Sequence, residues 1–160
     1  MVLVCTIVMV SLPRVSWYRY FLLRSEINNL HALFVCLQQR AIVSHAMYEL
    51  FFDVDHNTYH YLAPSGKKMV CALNKYVQFG WVTGVKGPPG DPEKVIDRSI
   101  TFPLTKQGHC VQFFPDGKFS TGTIYIVDKE KTRVGALTCP ISQVSYMRRY
   151  VYDGCTWKLL

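Results

Sequence analysis

"LFVCLQQRAIVSHAMYELFFDVDHNTYHYL", residues 33–62, changes its period half-way along. Up to about Ser44 or His45 the apolar residues recur at helical spacing, and Val15, Leu22, Leu30, Leu33, Phe34, Leu37 and Ala41 fall close to one face. Arg24, Glu26, Asn28, Gln38 and Arg40 occupy other positions around the helix. From Met47 aromatic residues take over, and the turn-prone run Asp53 to Asn57 divides them as a hairpin would. A long helix therefore meets a β-rich body.

Upstream, "MVLVCTIVMVSL" carries no charge and is stopped by Pro13. A membrane-spanning helix needs roughly 20 apolar residues, so this run is too short by itself. It also lacks the basic start and small-residue exit of a cleavable signal peptide. Arg14, Trp17, Tyr18, Arg19 and Tyr20 follow at once, and aromatics interleaved with arginines form a membrane-interface belt. Pro13 is expected to kink the helix without ending it, because the apolar period resumes immediately. The expected division is a helix over 1–45, greasy over 1–23 and amphipathic over 24–45, and a β-domain over 46–160. The alternative for the first run is a buried segment of a soluble fold.

Downstream, "KKMVCAL", "YVQFGWVTG" and "SITFPL" read as strands, and "GVKGPPGDPEK" (84–94) as a loop punctuated by proline and glycine. "CVQFF" and "TIYIVD" flank Pro115-Asp116-Gly117, which predicts a hairpin. "TRVGALTC" and "ISQVSYMRRYVYDG" complete a body of about eight strands. The expected fold class is α+β: a long N-terminal hydrophobic and amphipathic α-helix packed on an antiparallel β-sheet domain. A chain of 160 residues suits a single core. A formal charge of +7 favours anionic partners.

Chemistry-bearing motifs are sparse. Asp53, Asp55 and Asn57 match the start of a calcium loop, but Thr58 replaces its glycine and Pro64 its glutamate, so turn chemistry explains them better. The five histidines form no ligand set, and no G-x-S-x-G elbow, phosphate-binding glycine loop or H-E-x-x-H occurs. The six cysteines form no C-x-x-C pair. In an exported domain Cys110, Cys139 and Cys155 are the disulfide candidates, with buried free thiols the alternative. The reading is of no enzyme, no catalytic residue, no metal, no cofactor and no small-molecule substrate.

"QQRAIVSHAMYELFFD" at the helix end, and Phe113-Phe114-Pro115-Asp116-Gly117 followed by Gly122-Thr123-Ile124, resemble the GspH/FimT family of minor type IV pilins and type II secretion pseudopilins. The family has an "R-x-E-A-I" helix end running into a hairpin, then "F-x-P-x-G" and a "G-T-I" strand. The resemblance spans nearly the whole chain. It implies a pilin-like structural subunit held in the inner membrane by its helix, with the β-domain periplasmic, until helices bundle into a filament with other pilin or pseudopilin subunits. The family's basic leader, Gly-Phe junction and early glutamate have no counterpart, and Met1 falls where that segment is already under way. Either the start lies too far downstream or this is a degenerate copy. With Met1 as the true start, the family's leader processing and N-methylation do not occur.

DNA-binding members of the family use arginines in a late "S-x-x-G-R-x-R" pattern. The matching stretch here is "VSYMRRYVYDG", without the preceding glycine and with its arginines adjacent. The alternative function that follows is DNA capture for natural competence. Arg148, Arg149, Lys158 and Arg133 would grip phosphates non-specifically, and Tyr146 or Tyr150 would offer a stacking face. Adjacent strand residues point to opposite faces, so only one arginine reaches a given surface unless the strand bends. The plainer reading is a solvated charge pair on an edge strand.

Overall fold

The computed structural model describes residues 2–63, 65–89, 92–140 and 146–160, with the helix side chains from residue 17 onward. A single helix, α1 (Val2–Ser44), leads into ten strands among the described residues: β1 (Tyr48–Asp53), β2 (Thr58–Leu62), β3 (Lys68–Ala72), β4 (Val77–Phe79), β5 (Leu104–Thr105), β6 (Gly108–Phe113), β7 (Gly122–Asp128), β8 (Val134–Cys139), β9 (Arg148–Tyr152) and β10 (Trp157–Leu159). They form two antiparallel sheets, β3-β2-β1-β6-β5 and β10-β9-β8-β7-β4. The α+β class read from the sequence holds, with two sheets in place of one.

α1 is the element common to both sheets. Leu23, Ile27, Leu30, Phe34, Leu37 and Ala41 are fully buried along one stripe. They share a core with Leu50, Phe52, Val111 and Phe113 of the first sheet and Ile124, Ile126, Leu137 and Val151 of the second. The stripe differs in phase from the expected one at its start: Leu23 and Ile27 are inside, and Leu22 and Leu33 are half-buried. The sequence around residue 22 is apolar on every side, so periodicity alone does not fix the phase there. Phe34 is the hub, with ring centroids 5.2 Å from Phe113 and 6.4 Å from both Phe52 and Phe102.

Two glycines set close approaches, one between helix and sheet and one between neighbouring strands. A Cβ at Gly135 would lie 2.0 Å from Cδ1 of Ile27, so the bare backbone of β8 is what lets α1 sit down on the second sheet. Gly108 opens β6 at φ +113, and a Cβ there would lie 2.4 Å from the Phe52 carbonyl oxygen.

The expected hairpin of "CVQFF" with "TIYIVD" does not form. The Pro115–Gly117 turn does reverse the chain: the Phe114 amide donates to the Lys118 carbonyl at 2.9 Å, and Phe113 bridges Phe119. Beyond that stub, β6 pairs with β1 and β5, whereas β7 pairs with β8 and β4 in the other sheet. Ile124 to Asp128 are buried on both faces, which suits a central strand covered above and below. Gln38 anchors the crossover, its buried Nε2 donating to the Gly117 carbonyl at 2.6 Å.

"SITFPL" also departs from expectation, contributing only Leu104 and Thr105 to a strand and otherwise a single bridge from Ile100 to Ile124. Pro103 offers no amide to a ladder. β10 was not foreseen. Its turn is built by Asp153, whose Oδ1 accepts the amides of Cys155 and Thr156, and by Gly154 at φ +104.

The outer face of the second sheet has its own small core. Val85 and Ile96 from the loop between β4 and β5 cover Tyr125, Val127, Val134, Ala136 and Tyr150. Trp157 pins that loop by donating Nε1–H to the Lys86 carbonyl at 2.9 Å.

Replacing Phe34 by Ala is expected to cost about 3–5 kcal/mol in chemical denaturation, because it empties the shared core. Gly108→Ala is expected to cost roughly 2–3 kcal/mol through backbone strain and the clash with Phe52. Wild-type midpoints for either variant would refute this packing.

Candidate functional site

The outward side of α1 carries large apolar residues among polar ones such as Arg24, Asn29 and Gln39. Trp17 is 80% exposed and Phe21 66%, one turn apart, and further along the same helix Val35, Ile42 and Val43 are exposed, with Met47 just beyond its end. A shallow apolar depression at the far end is lined by Cys36, Arg40, Val43 and Tyr48. A surface helix ordinarily turns a polar face to water, and Trp17 and Phe21 at one end and Val43 at the other interrupt that face.

The belt residues are divided by this geometry. Trp17 faces solvent, and Tyr18 is half-exposed with its ring edge-on to Tyr76 at 6.4 Å. Arg19 turns to the domain and pairs with Glu130, and Tyr20 lies beneath the Arg133 guanidinium, 5.4 Å from its ring centre. The Arg14 side chain lies outside the described residues. Among the described residues, no helix is long and apolar enough to cross a membrane.

The residues singled out for DNA do not share one surface. In the β8–β9 register Arg148 stands opposite Thr138 and Arg149 opposite Leu137. Leu137 belongs to the helix-side core, so Arg149 faces α1, where its Nη1 donates to Asn28 Oδ1 at 2.8 Å. Lys158 is on that side too, paired with Asp153 at 2.7 Å, and it lines a small hollow with Trp17, Tyr20 and Arg133. Arg148 projects from the opposite face, its guanidinium 5.0 Å from the Tyr146 ring centre and hydrogen-bonded to Tyr150. Only Arg148 and Tyr146 stand together in the open.

The remaining polar candidates are used locally. Asp53 Oδ1 accepts the His56 amide at 3.1 Å, and Asn57, at φ +53, accepts the Phe79 amide at 2.8 Å and so ties the β1–β2 turn to the other sheet. Among the described residues no cluster of three or more His, Cys, Asp or Glu side chains is arranged to hold a metal ion. Cys36, Cys71, Cys110, Cys139 and Cys155 are free thiols. Burial, with Glu49 nearby, pushes the Cys110 thiol up to about 11, and burial also raises Cys139. Both are therefore poor nucleophiles at neutral pH.

The helix-side polar groups signal their environment through protonation. Burial, then the charge of Arg149, lowers the His31 pKa below 6.5. Burial raises Glu26 above 4.5, against a hydrogen bond from the Asn74 backbone.

No family model and no curated protein matches the chain. Solved structures similar in shape include the following two. One, the minor pseudopilin EpsH from the type 2 secretion system of Vibrio cholerae, has a TM-score of 0.46 and 13% identity, covering 86% of this chain and 95% of the other. A second structure of EpsH from the same organism has a TM-score of 0.46 and 16% identity, covering 87% and 93%.

The lowered His31 pKa has a readable sign. As pH falls below 6.5 the unfolded chain takes up a proton that the folded chain resists, so the contribution of His31 to stability declines. Glu26 acts oppositely, its buried carboxylate being relieved as it protonates. An NMR titration is expected to place His31 below 6.5 and to move it upward in Arg149→Gln. An unchanged His31 titration in that variant would show that Arg149 does not face it.

Proposed function

We propose that the chain is a pilin-type structural subunit, a minor pilin or pseudopilin of a type II secretion or type IV pilus filament. The observation that carries this reading is the set of exposed large apolar residues on a helix whose other side is already packed. One stripe is consumed by its own β-domain, while among the described residues Trp17, Phe21 and Val43 stay largely exposed on the outward side, with Val35 37% exposed between them. Bundling against helices of other subunits would bury them, at about 25 cal/mol for each Å² removed from water. The role is non-catalytic: the polar groups on the helix side are held in pairs, Arg149–Asn28 fixing the domain to the helix and Lys158–Asp153 closing the β9–β10 turn.

Membrane anchoring belongs to the same proposal. The charge-free run 1–12, with Trp17 and Tyr18 at its border, would hold the subunit in the inner membrane with its β-domain periplasmic before assembly. DNA capture is the alternative reading. On this geometry it would depend on Arg148 and Tyr146, because the other three cations are engaged with α1, Asp153 or Tyr20.

Phe21→Asp and Val35→Asp change only exposed positions. Each is expected to leave the melting temperature within about 2 °C of wild type, yet to abolish co-purification with partner pilins and filament incorporation. Normal incorporation of both variants would end this reading. In a DNA titration at two salt concentrations, Arg148→Ala is expected to change nothing. A salt-sensitive affinity lost in that variant would favour DNA capture.

A further inference from the structure

The outer face of the second sheet is only partly roofed. The loop between β4 and β5 covers the rows that contain Tyr125, Ala136 and Tyr150 and, beside it, Val127, Val134 and Tyr152. The next row, Thr123–Thr138–Arg148, is left outside that cover. Over it opens a cleft of about 380 Å³, floored by Thr101, Thr123 and Thr138 and walled by Lys94, Asp97 and Arg98. This is within the range of small-molecule sites and is far larger than a lone oxyanion requires.

Its chemistry is specific in kind. Thr123 donates its hydroxyl to Thr138 Oγ1 at 3.3 Å, and Thr101 Oγ1 accepts the Thr123 amide at 2.7 Å. The Thr138 hydroxyl proton has no acceptor among the described residues. Thr101 returns its hydroxyl proton to the Thr123 carbonyl at 3.5 Å, so the floor offers the Thr138 proton as donor and the hydroxyl lone pairs of Thr123 and Thr138 as acceptors, on cross-strand neighbours. The walls add positive charge. Arg98 uses Nε and Nη2 on Asp97, at 3.3 and 3.5 Å, which neutralises that acid and leaves Nη1 unengaged among the described residues. The Lys94 carbonyl accepts the Gly87 amide at 2.8 Å, while its ammonium makes no hydrogen bond to a described residue and leans by charge on Asp97.

We infer that this cleft binds an acidic saccharide, its sugar hydroxyls exchanging hydrogen bonds with the threonine floor and its carboxylate held by Arg98 and Lys94. A bare phosphate would satisfy the walls and leave the floor unused. A neutral sugar would do the reverse. The site lies on the face of the sheet away from α1, so a subunit whose helix is buried in an assembly still presents it outward.

The test is calorimetric titration of the full chain, kept in a zwitterionic detergent without a sugar headgroup. The probes are tri-galacturonic acid, maltotriose, inorganic phosphate and a short single-stranded oligonucleotide. Saturable binding of tri-galacturonic acid alone is expected. Thr138→Val and the surface change Arg98→Gln are each expected to weaken it at least about tenfold, as loss of a hydrogen bond to a charged ligand or a buried partner does. Both should keep the wild-type melting temperature, and Arg98, being exposed, keeps the test open if Thr138→Val misfolds. Absence of tri-galacturonate binding would overturn the inference. So would equal binding of phosphate, tighter binding of the oligonucleotide, or unchanged affinity in Arg98→Gln.

Discussion

The seating of Phe34 is the contact on which the rest of the structure depends. Its ring meets Phe113, Phe52 and Phe102 at once, and residues one and two turns away along the same stripe carry the second sheet. No strand is shared between the sheets. What holds them as one body is chiefly the apolar stripe of α1, aided by the β6-to-β7 crossover that Gln38 clamps and by the Asn57–Phe79 bond between sheets. Without the helix, Leu50, Phe52, Val111, Leu137 and Val151 would all face water. Burial of several large side chains, each contributing about 1.5–3 kcal/mol, makes that the dominant stabilising term.

This constraint shapes the surface as much as the core. Because one helix must serve two sheets, its buried stripe is long, and Gly135 admits it closely on one side. Polar contacts then fix its rotation: Arg149 to Asn28 and Arg19 to Glu130 along one flank. With the rotation fixed, Trp17, Phe21, Val35 and Val43 are left pointing away from the domain. Their exposure is a consequence of sequence, not of looseness, since the helix beneath them is anchored at every turn. Exposed apolar residues clustered in this way are where a partner surface gains most by covering them.

Much of this was legible in the sequence. The long helix ending near Ser44, the first hairpin and the antiparallel body follow from periodicity and turn residues. What was not legible is partner choice. Pro115–Gly117 announces a reversal, but whether β7 then pairs with β6 depends on which faces are covered. "TIYIVD" is apolar on both faces, and that was the available sign that it would leave a half-exposed neighbour for the middle of another sheet. The basic candidates show a similar limit. Alternation along β9 foretold that Arg148 and Arg149 would separate, but not that Asn28, more than a hundred residues earlier, would receive Arg149. Pairings across such distances are set by tertiary packing, to which local pattern is blind.

If the outward apolar residues of α1 are covered in the working state, a native thiol reports on it. Cys36 is exposed on α1 close to Val35, and Cys155 is exposed in the β9–β10 turn, distant in sequence and off the helix. Maleimide labelling of the isolated full chain and of the chain in its cellular assembly, read by peptide mass mapping, compares the two. The account predicts that Cys36 loses most of its reactivity on assembly while Cys155 keeps its own. Equal labelling of Cys36 in both states would contradict it, and would leave the exposed face of the helix without the role assigned to it.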